Sequence, residues 1–135
     1  MIEQEKIPAV AVEQMNRVHE EEARRINVLL ESLDTGADFA TVSEHLETVL
    51  AHMREHFGTE ETPMKQNDFP MYRLHKGEHD KILQEARRTE MEWRNRRDTE
   101  ALREYFEEQV GDWLHRHILA MDTPLADYLA GRGEV

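Results

Sequence analysis

Apolar residues recur along this chain at steps of three and four, and this spacing limits the possible folds more than any other feature of the sequence. Such steps place side chains on one face of an amphipathic helix. Four segments carry such a stripe, the first of which reads Val12, Met15, His19, Ala23, Ile26, Leu30 and Leu33. No useful length of the chain alternates with the period of two that a half-buried strand needs. The sequence therefore predicts an all-α fold.

Proline and candidate N-cap residues mark the ends of these segments. Pro63 and Pro70 bracket the turn between the second and third segments. Asp38 and Asp98 precede the second and fourth segments, where a short side-chain oxygen can accept an unpaired backbone N–H. Connections of only a few residues make neighbouring helices antiparallel. We therefore predict an up-down-up-down antiparallel four-helix bundle.

The chain length of 135 residues favours a single domain, residues 1–135. We predict a helical core over residues 12–128, a short N-terminal arm of residues 1–11 and a C-terminal tail of residues 131–135. The sequence contains no cysteine, which excludes disulfides, thiolate metal sites and cysteine nucleophiles.

The charge balance is acidic, with 29 Asp and Glu against 17 Lys and Arg and a formal net charge of −12. A phosphate backbone or an anionic membrane surface would be repelled, so we predict neither nucleic acid nor membrane as a partner. No apolar run approaches the roughly 20 residues of a membrane span, and the first residues do not resemble a signal peptide. These features predict a cytoplasmic protein.

Five of the eight histidines occupy stripe positions, spread over all four helices: His19, His56, His75, His79 and His117. A single histidine on an apolar face is usually a satisfied core residue, but five in one small core need more partners than apolar neighbours supply. Residues equally far from a connecting loop lie level in an antiparallel hairpin, at about 1.5 Å of rise per residue. Counting from the three loops places all five histidines in one layer, which predicts a metal site in the core.

Two pairs within this layer have the spacing of chelating residues. His75 and His79 are four residues apart, as are His56 and Glu60, so each pair shares one helical face. A buried Glu is improbable unless it is ionised against a metal or paired. Both pairs therefore strengthen the prediction of a metal site.

Asp122 is a further candidate ligand, although its spacing is irregular. It follows His117 by five residues, which on a regular helix leaves it about 140° away from that histidine. Thr123 and Pro124 come next, so the helix is predicted to end or distort there and turn Asp122 inward. Five imidazoles, two bridging carboxylates and one oxygen bridge would leave a single position open on two octahedral metals. Such mixed ligation suits iron, manganese or zinc.

Four stretches of the sequence resemble the hemerythrin family of non-haem di-iron oxygen-binding proteins. They are MNRVHEEE around His19, HFGTEETPM from His56, HKGEH from His75 and WLHRHILAMD from Trp113, and the resemblance extends over about residues 12–128. The tryptophan-containing N-terminal arm of many members is not recognisable, and Ile7-Pro8-Ala9-Val10 stands there instead.

The resemblance implies a specific set of ligands and a cofactor. His75, His79 and His117 would bind one iron ion, and His19 and His56 would bind the other. Glu60 and Asp122 would bridge the two ions, together with an oxo or hydroxo group. The partner implied is O2 or another small diatomic ligand.

Two groups of residues near the predicted ligands are assigned roles outside the ligand set. His52 lies one turn before His56, where many hemerythrins carry tyrosine. We predict that it acts behind the ligands as a hydrogen-bond donor or proton relay, the alternative being a half-buried histidine that flanks the site. The acidic run Glu20-Glu21-Glu22 is predicted to form a solvated face.

Two functions remain open from the sequence, and no catalytic residue is predicted. The leading hypothesis is reversible O2 binding at a di-iron centre, for storage, delivery or sensing. The alternative is a di-iron enzyme on the same scaffold, either an oxidase or a reductase of peroxide or nitric oxide. It would need a proton relay, for which His52 is the only candidate. A structural or zinc-binding bundle would leave the open position unused.

Overall fold

The computed structural model describes residues 1–133, and within them it is helical, with no strand. Three helices are regular: α1 is Glu13–Asp34, α2 is Phe39–Gln66 and α3 is Tyr72–Arg96. The fourth, α4, covers residues 99–131 and contains two π-helical segments, Tyr105–Val110 and Ile118–Asp122. The predicted all-α four-helix bundle is confirmed. Part of the predicted tail, residues 134–135, lies outside the described residues.

Both predicted N-caps are confirmed. Asp38 Oδ1 accepts a hydrogen bond from the backbone N–H of Thr41 at 2.8 Å, and Asp98 Oδ1 accepts one from Ala101 at 3.0 Å. Each bond satisfies a backbone N–H that the first turn of a helix leaves without an intrahelical partner. These two residues therefore determine where α2 and α4 begin.

Pro63 lies inside α2, so the break between α2 and α3 comes about one turn later than the sequence predicts. The carbonyl of Pro63 accepts the backbone N–H of Asn67 at 3.0 Å and the side-chain amide of Asn67 at 2.9 Å. These bonds close a last helical turn beyond the proline. The chain then reverses at Asp68, whose φ is 51°.

Apolar side chains form two clusters, one on each side of the layer of histidines. The larger cluster lies toward the α1–α2 turn and includes Ile26, Leu46, Met53, Phe57, Ile82 and Phe106. The smaller cluster lies toward the α2–α3 turn and includes Met15, Met64, Phe69, Leu125 and Leu129. Along α2, for example, His56 comes between Leu46 and Met64, so the histidine layer is enclosed by apolar packing on both sides.

Two asparagines of α1 hold the N-terminal arm against the bundle. Asn27 accepts the backbone N–H of Ile2 at 2.8 Å and donates to the Ile2 carbonyl at 2.9 Å. Asn16 pairs with Val10 in the same way, at 2.8 and 3.0 Å. The arm therefore follows a fixed path.

Over residues 1–133, none of the helices combines the length and the hydropathy that a membrane span requires.

Candidate metal centre

The seven predicted ligands lie together in one buried layer, and each is at most 3% exposed. Helix α1 contributes one of them, and the other three helices contribute two each. Their potential ligand atoms form two overlapping groups, in each of which the atoms lie within 4.8 Å of one another. Both groups include the carboxylates of Glu60 and Asp122. The first group adds the three imidazoles of His75, His79 and His117, and the second adds the two imidazoles of His19 and His56.

Glu60 directs one carboxylate oxygen to each group of imidazoles. Its Oε2 lies 2.9 Å from His56 Nε2 and 3.6 Å from His19 Nε2. Its Oε1 lies 3.2 Å from His75 Nε2 and 3.1 Å from His79 Nε2. A carboxylate placed in this way can bridge two ions, giving one oxygen to each.

Asp122 straddles the two groups in the same manner. Its Oδ2 lies 2.9 Å from His19 Nε2. Its Oδ1 lies 2.9 Å from His75 Nε2 and 3.2 Å from His117 Nε2. The two carboxylates together therefore offer two oxygens to each group of imidazoles.

The π-helical segment Ile118–Asp122 places Asp122 on the same side of α4 as His117. A π-helix closes its hydrogen bonds five residues apart, so a five-residue step returns to the starting face. Thr123 donates its backbone N–H and, at 2.9 Å, its hydroxyl to the carbonyl of the first residue of the segment. Pro124 follows and has no N–H to donate. The predicted distortion is confirmed, but α4 does not end there and continues through a further nine residues.

The donor set fits cations better than it fits hydrogen bonding alone. Among residues 1–133, His75 Nε2, Glu60 Oε1 and Asp122 Oδ1 have no hydrogen-bond partner despite their short contacts. The Nε2 atoms of His79 and His117 face each other at 3.2 Å. Buried polar atoms without partners are costly, and imidazole nitrogen with carboxylate oxygen is a ligand set typical of iron, manganese and zinc. The residues present therefore fit a pair of metal ions.

The histidines and carboxylates of the layer shift one another's pKa values. Burial alone would raise the pKa of Glu60 and of Asp122, but the histidines around them hold both pKa values below the usual range. Burial alone would lower the pKa of His75, but Asp122 and Glu60 outweigh it and raise that pKa to about 9. Both carboxylates are therefore ionised at neutral pH, and protons compete with metal ions for the imidazole nitrogens.

We expect the metal-free protein to lose about 2 kcal/mol of stability between pH 6.5 and pH 9. A histidine whose pKa rises on folding stabilises the protein below its unfolded pKa, and this contribution is lost as the pH rises through the folded value. The raised pKa values of His19 and His56 act in the same direction as that of His75, and the lowered pKa of His117 opposes them. Urea unfolding in the presence of a chelator at both ends of this range measures the change. A midpoint that rises with pH would contradict the expectation.

Glu22 is buried beside the layer, so the prediction of a solvated face over Glu20-Glu21-Glu22 is wrong for this residue. It is 3% exposed, and its Oε1 accepts a hydrogen bond from Nδ1 of His52 and from Nδ1 of His56, each at 2.8 Å. The other two residues of the run are exposed or half-buried. A signal was available in the sequence, because Glu22 stands three residues after His19 and shares its helical face.

A second carboxylate outside the predicted set contacts the other group of imidazoles. Glu61 Oε2 accepts a hydrogen bond from His79 Nδ1 at 2.8 Å.

His52, which was predicted to act behind the ligands, is half-buried and contacts Glu22. His52 is thus separated from the carboxylates of the layer by Glu22 and His56.

Aromatic rings pack against the group of three imidazoles. Trp113 stacks on His117, with ring centroids 4.3 Å apart and planes at 14°. Phe57 stacks on His79 at 4.0 Å and 6°. These contacts hold the two imidazole planes and shield this side of the layer from water.

Comparisons with known proteins agree with this geometry. The family model described as the hemerythrin HHE cation binding domain matches residues 10–129. The chain is 29% identical to a bacteriohemerythrin of Aquifex aeolicus (strain VF5), over 96% of this chain and 98% of that protein. It is 32% identical to a bacteriohemerythrin of Ralstonia nicotianae (strain ATCC BAA-1114 / GMI1000), over 72% of this chain and 67% of that protein. No solved structure gives a significant match. The chain belongs to the hemerythrin family.

Proposed function

We propose that this protein binds O2 reversibly at a non-haem di-iron centre in the core of the bundle. The observation that carries the proposal is the placement of Glu60 and Asp122, each of which offers one oxygen to each of two groups of imidazoles. Family membership supports iron as the metal, and the two relatives are named bacteriohemerythrin.

Each group of imidazoles would hold one iron ion, and the two carboxylates would bridge the ions. His75, His79 and His117 would bind the first ion, and His19 and His56 would bind the second. The second ion would have one imidazole fewer and so a position left for an exogenous ligand. A pair of iron ions, when bound, would supply two electrons to such a ligand, one from each ion.

The surroundings of the layer suit an apolar diatomic ligand. Glu60 follows His56 along α2 and Asp122 follows His117 along α4, so both carboxylates approach from the side of the smaller apolar cluster. The opposite side faces the larger cluster, in which Met53 is buried. An apolar environment excludes water and charged solutes from that side. We therefore infer that O2 is bound there.

The position of His52 favours binding over turnover. Reduction of O2 or peroxide requires proton delivery, and His52 is the candidate donor in the sequence. Its Nδ1 contacts Glu22, which lies against Nδ1 of His56, whereas Nε2 of His56 faces Glu60. The hydrogen-bonded path from His52 therefore reaches the proposed ions through Glu22 and His56, and we propose a carrier or sensor of O2 rather than an enzyme.

We expect the purified protein to contain two iron ions per chain and to change its absorption spectrum reversibly with O2. The protein would be reduced under nitrogen, exposed to air and then returned to nitrogen, with spectra recorded over several cycles. The buried His117→Ala variant should lose iron, whereas the exposed His115→Ala variant on the same helix should keep both ions. A protein that holds zinc and no iron after growth in iron-rich medium would contradict the proposal, as would a spectrum that does not recover.

A further inference from the structure

We propose that Glu22 and Glu61 are positioning residues, one for each metal position, which fix the imidazoles of His56 and His79 with Nε2 directed at the ions. The inference rests on the proposed metal centre and adds to it two residues that do not touch the ions themselves. Each carboxylate accepts a hydrogen bond from an Nδ1 atom at 2.8 Å, on the side of the ring that faces away from the layer.

The hydrogen bonds determine which nitrogen of each ring carries the proton. An ionised carboxylate can only accept hydrogen bonds, so the Nδ1 atom opposite it must donate. In a neutral imidazole the other nitrogen, Nε2, then has a free lone pair, which is the form that binds a metal. His56 Nε2 faces Glu60 Oε2 at 2.9 Å, and His79 Nε2 faces Glu60 Oε1 at 3.1 Å. Both Nε2 atoms therefore face into the layer, where binding of a metal ion would displace any proton that they carry.

The other three imidazoles have no such support among the described residues. The Nδ1 atoms of His19, His75 and His117 lack a hydrogen-bond partner there, and Glu78 is 3.8 Å from the last of them. Each metal position thus contains one imidazole that a carboxylate orients. In the group of two imidazoles this is His56, and in the group of three it is His79.

The two positioning residues differ in burial, which predicts unequal effects. The side chain of Glu22 is 4% exposed, and one oxygen serves both His52 and His56. The side chain of Glu61 is 20% exposed and lies 3.8 Å from Lys76 Nζ, so water and a cation partly offset its charge. Misalignment of His56 would also affect one of the two imidazoles at its metal position, whereas misalignment of His79 would affect one of three. We expect the loss of Glu22 to weaken metal binding more.

The test compares metal binding by Glu22→Gln, Glu61→Gln and the surface control Glu21→Gln. Iron-loaded proteins would be dialysed against increasing concentrations of a chelator, and the ions retained per chain would be counted. We expect Glu22→Gln to lower the affinity of one position roughly 10- to 100-fold, so that the chain passes through a state with one ion. Glu61→Gln should have a smaller effect on the other position. Retention of both ions by Glu22→Gln, as in the wild type and Glu21→Gln, would overturn the inference.

Thermal unfolding separates positioning from a merely structural role. Loss of a positioning residue should lower the melting temperature of the iron-loaded protein by more than that of the chelator-treated protein. An equal decrease in both forms would overturn the inference. Glu22→Ala should weaken metal binding more than Glu22→Gln, because the amide oxygen of Gln can still accept the hydrogen bond of His56.

A measurement on the wild-type protein covers the case in which the variants do not fold. In zinc-loaded protein, the nitrogen chemical shifts of His56 and His79 should report a proton on Nδ1 and zinc on Nε2. Zinc on Nδ1 of either residue would overturn the inference. A wild-type protein that binds no pair of ions would instead contradict the proposed metal centre, so the two failures are distinguishable.

Discussion

Removal of the metal ions with a chelator is expected to lower the melting temperature of this protein by roughly 20 °C. An ion that binds only the folded state at a thousand times its dissociation constant contributes about 4 kcal/mol, and two ions contribute more. For a domain of this size each kcal/mol corresponds to roughly 3 to 5 °C. The effect should be large because the layer contains buried polar atoms that lack hydrogen-bond partners among the described residues, including His75 Nε2 and Asp122 Oδ1.

Calorimetry of the iron-loaded and the chelator-treated protein measures this difference. Re-addition of ferrous iron under nitrogen should restore the higher melting temperature, which controls for direct effects of the chelator. The gap should also widen as the pH rises, because the protonated imidazoles that pair with the carboxylates of the metal-free layer are then lost. Equal melting temperatures in both forms would show that the seven residues do not bind metal.

The Glu60→Ala substitution is expected to abolish binding of both ions under conditions in which a single histidine variant retains one. Glu60 Oε2 lies against one group of imidazoles and Oε1 against the other, so its removal would take a ligand from each of the proposed ions. It also removes one of two negative charges that offset the charge of the metals. We expect affinity at both positions to fall more than about 100-fold, beyond the effect typical of residues behind the ligands.

Metal analysis and the absorption spectrum check this expectation. Glu55→Ala is the matched control, because Glu55 is exposed and lies on α2 five residues before Glu60. Circular dichroism of both variants shows whether the bundle has folded. A folded Glu60→Ala protein that retains two ions and the native spectrum would rule out a bridging role for this residue.

Much of the candidate site could be predicted because most of its residues share the periodicity of the fold. A histidine that belongs to the core face of a helix occupies a stripe position, and the lengths of the loops place the stripes in register. His19 and His56 were found in this way, and the structure brings both to the same buried layer. The bundle itself followed from the same periodicity.

Other features could not be predicted because they depend on contacts between helices. The burial of Glu22 depends on His52 and His56 of the neighbouring helix, which both donate to one of its oxygens, and the spacing from His19 indicates its face but not these partners. The final turn of α2 beyond Pro63 is closed by Asn67, whose backbone N–H and side-chain amide both donate to the proline carbonyl. In both cases a local rule was overridden by a specific polar contact.

The π-helical segment allows α4 to present His117 and Asp122 on one face despite the additional residue between them. Between His117 and Asp122 stand four residues, and the wider turn absorbs the one that a regular helix would not accommodate. Loss of one of these four would leave the aspartate four residues after His117, a spacing at which a regular helix also places two side chains on one face. The π-helical turn is thus the way in which a helix with one additional residue keeps both proposed ligands on the same side. In an alignment, a one-residue gap in this segment is therefore compatible with an intact site.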